Sequence, residues 1–166
     1  MDSELYELAR EVGSNLQASA RMLVTAESCT GGWVAEAVTM VPGSSGWFER
    51  GFITYTNRAK QEMLGVQGAT LERYGAVSEE TVGEMVAGAL AHSPGDVALA
   101  VSGVAGPSGG TAAKPVGMVC LAWGARGGMS ISATHYFPGD REAVRRQTVI
   151  AALEGLIKIL QAHRAS

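Results

Sequence analysis

The run VALAV at residues 97–101 decides the fold class of this chain. All five residues are apolar, and Pro94-Gly95 stands just before them as a stop for the preceding helix. A strand without polar alternation is typical of one that is buried on both faces, as in a parallel sheet covered by helices. The run therefore predicts a helix-covered sheet with parallel strands.

Predicted helices and strands alternate along the rest of the chain. Helical periodicity and capping residues predict helices over 3–18, 33–40, 57–64, a segment that begins at Ser78, and 140–162. Strand patterns cover 22–26, 47–56, 97–101, 116–123 and 129–137. The glycine-rich link 124–128 predicts an antiparallel hairpin. We therefore expect an α/β fold, a three-layer α/β/α sandwich with a mixed sheet of about five strands, with residues 1–166 forming a single domain.

Composition excludes several classes of function. The net charge is −3 and no basic run occurs, so the chain lacks the charge pattern of a nucleic-acid-binding protein. No apolar run is long enough to cross a membrane and no signal peptide is evident, so we expect a cytoplasmic protein. The three histidines and two cysteines lack metal-ligand spacing. We therefore expect no metal and no contact with a membrane or nucleic acid.

Polar residues gather with glycines where strands are predicted to end. The four segments are 27–32, 42–46, 55–60 and 102–110. Crevices of α/β folds form at the ends of strands, so these segments are candidates for a binding site. Thr30, Gly31 and Gly32 can present backbone N–H groups to an anion at the start of a helix. A glycine turn at that place also has a purely steric explanation, and its pattern matches neither a dinucleotide-binding fingerprint nor a P-loop.

Lysine is scarce, since Lys60, Lys114 and Lys158 are the only three in the chain. A buried lysine can act as a neutral base, but lowering its pKa from about 10.4 to about 7 costs roughly 4 kcal/mol. Lys60 follows a predicted strand, where such burial is conceivable. From spacing alone, each candidate residue also has a purely structural explanation. Lys60 fits a solvated helix residue and Ser45 a turn former. Tyr55 fits a core aromatic, Glu27 a buried strut and Cys29 a small buried hydrophobe.

Six motifs make the chain resemble the CinA C-terminal domain family. They are TAESCTGG at 25–32, PGSSGWFERGFITYTNRAK at 42–60, GAVSEETV at 75–82, SGVAGPSGG at 102–110, KPVG at 114–117 and PGDREAVRRQT at 138–148. They spread over nearly the whole chain. The resemblance implies the stand-alone form of the family, which hydrolyses the carboxamide of nicotinamide mononucleotide to nicotinate mononucleotide and ammonia in pyridine-nucleotide salvage, without a cofactor.

The resemblance also implies roles for particular residues. It implies Ser45 as nucleophile and Lys60 as base, with Tyr55 and Ser102 as supporting catalytic groups. The residues that it implies for substrate binding are Glu27, Ser28, Thr30, Gly31, Gly32, Gly103, Ala105, Gly106, Arg141 and Arg145. The chain departs from the family pattern at Ser102, where threonine is common, and at Ala112-Ala113, where acidic residues are common.

Strand geometry complicates the pairing of Ser45 with Lys60. A straight strand over 47–55 would span about 30 Å and separate the two residues. We therefore expect either a sharp bend near 49–51 or a site shared across a homo-oligomer interface, with a dimer as the simplest case. Two other hypotheses remain: a nucleophile at Cys29 assisted by Glu27 and a lysine, and a non-catalytic nucleotide- or partner-binding module. The presence of Ser45, Tyr55 and Lys60 together favours an enzyme.

Overall fold

A five-stranded mixed sheet lies at the centre of the computed structural model, which describes residues 1–165. The strands are β1 (Leu23–Glu27), β2 (Phe48–Ile53), β3 (Val97–Gly103), β4 (Met118–Ala125) and β5 (Ile131–Tyr136). Their order across the sheet is β2-β1-β3-β4-β5. β1 pairs in parallel with β2 and β3, whereas β4 is antiparallel to both β3 and β5. The predicted mixed sheet and its terminal hairpin are confirmed.

Helices cover both faces of the sheet. They are α1 (Ser3–Ala18), α2 (Trp33–Thr39), α3 (Asn57–Leu64), α4 (Gly68–Tyr74), α5 (Glu79–Ala91) and α6 (Arg141–Ala165). Val97, Leu99 and Val101 pack with α1, α2 and α6, while Ala98 and Ala100 pack with α3, α4 and α5. Alternate side chains of β3 thus enter two separate cores, which confirms the three-layer sandwich.

Two elements differ from the sequence predictions. α4 was not predicted, because it has only seven residues and buries one of them, Leu71. The strand predicted over 47–56 ends at Ile53. Thr54 still donates its backbone N–H to the Glu27 carbonyl, but Thr56 already caps α3 by accepting from the Ala59 N–H. The early end of β2 turns the chain back over the edge of the sheet.

The parallel strands place three chain segments at one edge of the sheet. β1, β2 and β3 run in the same direction, so their carboxyl ends meet there. α3 begins only three residues after β2, which keeps Lys60 close to that edge. Within residues 1–165, no helix is long and apolar enough to cross a membrane.

A close approach between α3 and α5 fixes the position of α3. A Cβ atom added at Gly88 would lie 1.9 Å from the Leu64 carbonyl oxygen, which belongs to the backbone of α3. At Gly83 on the same helix, the nearest atom to an added Cβ is the Ser130 hydroxyl at 3.7 Å. The two glycines therefore form a matched pair, one at a tight contact and one with room.

We expect Gly88→Ala to lower the free energy of unfolding by about 2 kcal/mol or more, because the two helix backbones must separate. Gly83→Ala is expected to raise it by up to about 1 kcal/mol, because alanine favours the helix. Chemical denaturation of both variants measures this difference. Equal stability of the two variants would contradict the close contact.

Candidate active site

A cavity of about 190 Å³ lies at the carboxyl ends of β1, β2 and β3. Its walls come from the β1–α2 turn, the β2–α3 link, the segment before α5, the end of β3 with the loop that follows it, and the start of α6. The lining residues are Ser28, Cys29, Tyr55, Lys60, Ala76, Val77, Ser102, Gly103, Ala105 and Arg141. Polar residues from distant parts of the sequence thus share one small space.

Ser28 and Lys60 are in direct contact in this cavity. The Lys60 Nζ atom lies 2.8 Å from the Ser28 Oγ atom, to which it donates a hydrogen bond. It also donates to the backbone carbonyls of Thr54, at 2.9 Å, and Tyr55, at 3.1 Å. Lys60 is only 1% exposed. A hydroxyl within hydrogen-bond reach of an amine is the arrangement of a nucleophile with its base.

The surroundings of Lys60 favour its neutral form. Burial lowers the pKa of Lys60 to about 8, because the ammonium loses its hydration. Within residues 1–165, no ion pair includes Lys60. The Ser28 hydroxyl itself donates to the Tyr55 carbonyl at 3.3 Å. A neutral amine can donate its two N–H groups to the carbonyls of Thr54 and Tyr55, and its lone pair accepts the Ser28 proton when that proton turns from the Tyr55 carbonyl towards Nζ. At pH 7 about one Lys60 in ten is then neutral and able to act as a base.

Ser102 supplies a second hydroxyl to the cavity. It lies buried at the carboxyl end of β3, and its hydroxyl forms no hydrogen bond with any described residue. Gly103 and Ala105 continue the same wall. Gly106 does not line the cavity, and its carbonyl accepts a hydrogen bond from Arg141. The Ser102 hydroxyl is therefore available to a bound ligand.

Tyr55 and Arg141 form the outer wall. The Arg141 Nη2 atom donates to the Tyr55 hydroxyl at 3.0 Å, and Nη1 donates to the Gly106 carbonyl at 2.7 Å. The Tyr55 side chain is exposed, so it is not a core aromatic. Its hydroxyl bonds to Arg141, whereas only its backbone carbonyl contacts Lys60. The structure therefore shows no direct hydrogen bond from the Tyr55 phenol to Lys60 or Ser28.

Glu27 is a buried strut and not a ligand contact. Its Oε1 atom accepts hydrogen bonds from the Thr30 hydroxyl at 2.5 Å and from the N–H groups of Gly32 and Val34 at 3.2 and 2.9 Å. Its Oε2 atom accepts from the Ala35 N–H at 3.0 Å. The carboxylate thus occupies the positive end of α2. The expectation that Glu27 contacts substrate is corrected, because its side chain is fully buried and faces the helix.

The same carboxylate changes the interpretation of the glycine turn. The Thr30 hydroxyl and the Gly32 N–H already donate to Glu27, and the Gly31 N–H donates to the Ser28 carbonyl. A phosphate at the start of α2 would also meet the negative charge of Glu27. The expectation that Thr30, Gly31 and Gly32 bind an anion is therefore corrected: the turn binds its own glutamate, and this contact positions Ser28.

Arg145 also supports the turn and does not line the cavity. Its Nε atom donates to the Cys29 carbonyl at 3.0 Å, and its Nη2 atom donates to the Thr30 carbonyl at 3.1 Å. The guanidinium group lies 5.4 Å from the centre of the Trp33 ring. Of the two arginines proposed for substrate binding, the structure brings only Arg141 to the cavity.

Ser45 lies at the opposite end of the sheet. It is exposed in the 3₁₀ turn Ser44–Gly46, just before β2, and β2 begins beside the first residue of β1. The six residues of β2 separate this turn from the cavity by about 20 Å. A register irregularity occurs beside Leu23, but the strand does not reverse. The expected bend is therefore absent, and one chain does not pair Ser45 with Lys60: Ser28 occupies that place.

Cys29 is poorly suited to the role of nucleophile. It is buried, and burial raises the pKa of its thiol to about 11. The thiol is therefore protonated at neutral pH, and thiols react as thiolates. Glu27, its suggested partner, directs both carboxylate oxygens at α2. In the part of the chain that the structure describes, no cluster of three or more His, Cys, Asp or Glu residues can hold a metal.

Sequence reasoning placed Ser28 among the binding residues and missed its contact with Lys60. One signal was available. Ser28 directly follows β1 and Ser102 stands near the end of β3, so both hydroxyls belong to the carboxyl edge at which α/β sites form. Ser45 precedes its strand and therefore belongs to the other edge.

A variant without the amine tests the burial of Lys60. Between pH 8 and 10.5 the unfolded chain holds more protons on this lysine than the folded chain, so its contribution to stability rises with pH. Relative to Lys60→Met, the free energy of unfolding of the wild type should rise by about 2 kcal/mol from pH 7 to pH 10. Denaturant titrations at several pH values measure this, with Lys158→Met as a variant of the same type at an exposed position. A constant difference between wild type and Lys60→Met would show that the pKa of Lys60 is not lowered.

Known proteins resemble this chain over nearly its whole length. It is 52% identical over 155 residues to nicotinamide-nucleotide amidohydrolase PncC of Escherichia coli K12, covering 93% of this chain and 94% of that protein. It is 56% identical over 152 residues to the protein of the same name from Pseudomonas putida, covering 92% and 94%.

A solved structure shares the fold. The competence/damage inducible protein CihA from Agrobacterium tumefaciens superposes with a TM-score of 0.91 at 47% identity, covering 95% of this chain and 96% of that one. Residues 5–160 match the CinA C-terminal domain. The sequence motifs, the fold and these matches agree, and the chain belongs to the CinA C-terminal domain family.

Proposed function

We propose that the chain is a nicotinamide-nucleotide amidohydrolase, which releases ammonia from the carboxamide of nicotinamide mononucleotide. The observation that carries the proposal is the 2.8 Å contact between the Ser28 hydroxyl and the buried amine of Lys60. The names of relatives that are more than half identical to this chain supply the substrate. An activated hydroxyl is suited to acyl transfer, and a carboxamide is an acyl group.

The proposed mechanism passes through an ester of Ser28. Neutral Lys60 accepts the Ser28 proton while the Oγ atom attacks the carboxamide carbon. The Lys60 ammonium then gives that proton to the departing nitrogen, and the C–N bond breaks to release ammonia. Lys60 is neutral again and takes a proton from a water molecule whose oxygen attacks the ester. The Lys60 ammonium then returns that proton to the Ser28 Oγ atom as the ester C–O bond breaks. The products are the nucleotide carboxylic acid and free Ser28.

Two other cavity residues have roles in this proposal. The unpartnered Ser102 hydroxyl can donate to the oxyanion that forms during each attack. Arg141 is the arginine that lines the cavity, and its present partners are the neutral oxygens of Gly106 and Tyr55. A phosphate forms stronger hydrogen bonds with a guanidinium than neutral oxygens do. We therefore assign the nucleotide phosphate to Arg141 and a positioning role to Arg145.

Three broader expectations stay predictions. They are a cytoplasmic location, a role in pyridine-nucleotide salvage and a homodimeric assembly. A second copy of the chain is also the remaining way to bring a Ser45 to Lys60. Mixing Ser45→Ala chains with Lys60→Met chains tests this: a shared site requires that each variant alone be inactive and that the mixture release ammonia.

Substitution of the two serines separates the candidate nucleophiles. Ser28→Ala should lower the rate of ammonia release by at least roughly 10³-fold, because the attacking oxygen is lost. Ser45→Ala should leave it unchanged, since Ser45 lies at the far edge of the sheet. Ammonia release from nicotinamide mononucleotide measures both. The opposite result would reinstate Ser45, and a wild type that binds the nucleotide without releasing ammonia would favour the binding module.

A comparison of two arginines tests the assignment of the phosphate. Arg141→Gln should raise KM for nicotinamide mononucleotide about 10- to 100-fold, because a charge-assisted bond is worth about 1.5–3 kcal/mol. KM for nicotinamide riboside, which lacks the phosphate, should change little. Arg58→Gln is the control, since Arg58 is exposed on α3 and its ion-pair partner among the described residues is Glu62. An equal loss with both substrates would exclude a role for Arg141 in binding the phosphate.

A further inference from the structure

Within residues 1–165, the groups in contact with the Lys60 amine are neutral, so no ionised contact stabilises either its protonated or its neutral form. On the β1 side they are the Ser28 hydroxyl and the protonated Cys29 thiol, and on the β2 side the backbone carbonyls of Thr54 and Tyr55. Ala76 and Val77 contribute only apolar surface before α5. β3 contributes the Ser102 hydroxyl. The charged residues on the other packed elements are bonded elsewhere: Arg141 of α6 to the Tyr55 hydroxyl, Glu27 to the start of α2, and Glu84 of α5 to Gln67 and Thr70.

Without substrate, Lys60 is therefore mostly protonated and cannot act as a base. At pH 7 about nine Lys60 side chains in ten carry a proton, and an ammonium cannot accept the proton of Ser28. No neighbouring lysine or arginine donates to the same acceptors as Lys60 or otherwise contacts its amine among the described residues. A further positive charge close to Nζ would raise the neutral fraction of Lys60.

The proposed substrate carries such a charge. In nicotinamide mononucleotide the ring nitrogen that bears the ribose is a pyridinium cation, and it lies about 4 Å from the carboxamide carbon. Attack requires that this carbon come within about 3–3.5 Å of the Ser28 Oγ atom. Because Oγ is 2.8 Å from Nζ, the ring charge must lie roughly 5–8 Å from the lysine amine.

We propose that the positively charged ring of the substrate expels the proton from Lys60, so that the site selects carboxamides on cationic rings. This inference rests on the proposed function. At an effective dielectric constant of about 20, a like charge at this distance lowers the proton affinity of the amine on the order of 100-fold. The neutral fraction of Lys60 at pH 7 then rises from about one in ten to about nine in ten.

The proton has a balanced path. It leaves Nζ for bulk water on the side of Tyr55, whose side chain is 58% exposed. The remaining neutral amine takes the Ser28 proton and gives it to the departing amide nitrogen, which leaves as ammonia. The product differs from the substrate by a carboxylate at the same place, which favours the ammonium form of Lys60 again. Substrate and product therefore set opposite protonation states of the same lysine.

Binding to an inert variant measures the expelled proton directly. The two ligands are nicotinamide mononucleotide and its reduced dihydropyridine form, which has a neutral ring and the same ribose and phosphate. Calorimetry on Ser28→Ala at pH 7, in buffers of different ionisation enthalpy, gives the protons released by each ligand. We expect the cationic ring to release about 0.8 proton more than the neutral ring. The difference should vanish in the double variant Ser28→Ala, Lys60→Met.

The wild type provides a second measurement that needs no variant. The pH dependence of kcat/KM reports the free enzyme and that of kcat reports the complex. The pKa that governs kcat should be lower than the pKa that governs kcat/KM by about one to two pH units. Equal proton release by the two ligands, or coincident pH profiles, would overturn this inference even if ammonia is produced. A wild type that produces no ammonia would instead refute the proposed function.

Discussion

The hydrogen bond between the buried amine of Lys60 and the hydroxyl of Ser28 is the interaction on which the site depends. It brings together a residue at the end of β1 and a residue on α3, and two backbone carbonyls hold the amine in place. Burial without a carboxylate partner destabilises the ammonium, so the fold gives up stability at this position. Such a local cost is common where a side chain must react rather than pack.

Glu27 explains how the turn that carries Ser28 keeps its shape. Four donors from the turn and the start of α2 converge on one buried carboxylate, and Arg145 holds two carbonyls of the same turn from the other side. The charged groups of Glu27 and Arg145 therefore both bind other parts of the protein. An anionic substrate group must therefore find its partner elsewhere, and Arg141 lies at the opening of the cavity.

Much of the fold follows from the sequence. The continuous apolar run VALAV, the helix cap at Ser78 and the glycine-rich hairpin link are local patterns, and the structure has the elements that they predict. α4 was not predicted, because seven residues with one buried leucine show too little helical periodicity of apolar residues. The position of the site at the ends of strands was also predictable, because parallel strands share an edge.

The partner of Lys60 was harder to identify than the position of the site. A motif match gives a place in the sequence, but the direction of each strand decides at which edge that place lies. Ser45 enters β2 and Ser28 leaves β1, so two serines in similar glycine-rich turns come to lie at opposite edges. Three of the four donors that surround Glu27 are backbone N–H groups, which sequence patterns do not reveal.

The titration of Lys60 shows whether the buried amine is able to accept the Ser28 proton near neutral pH. With only three lysines in the chain, carbon-13 labelling of the lysine side chains gives few NMR signals, and Lys60→Met identifies the one that belongs to Lys60. This signal is expected to titrate with a pKa of about 8 in the free protein. A Lys60 signal that titrates near the ordinary value of 10.5 would contradict the proposed mechanism, because an amine of that basicity is not prepared to take a proton from Ser28.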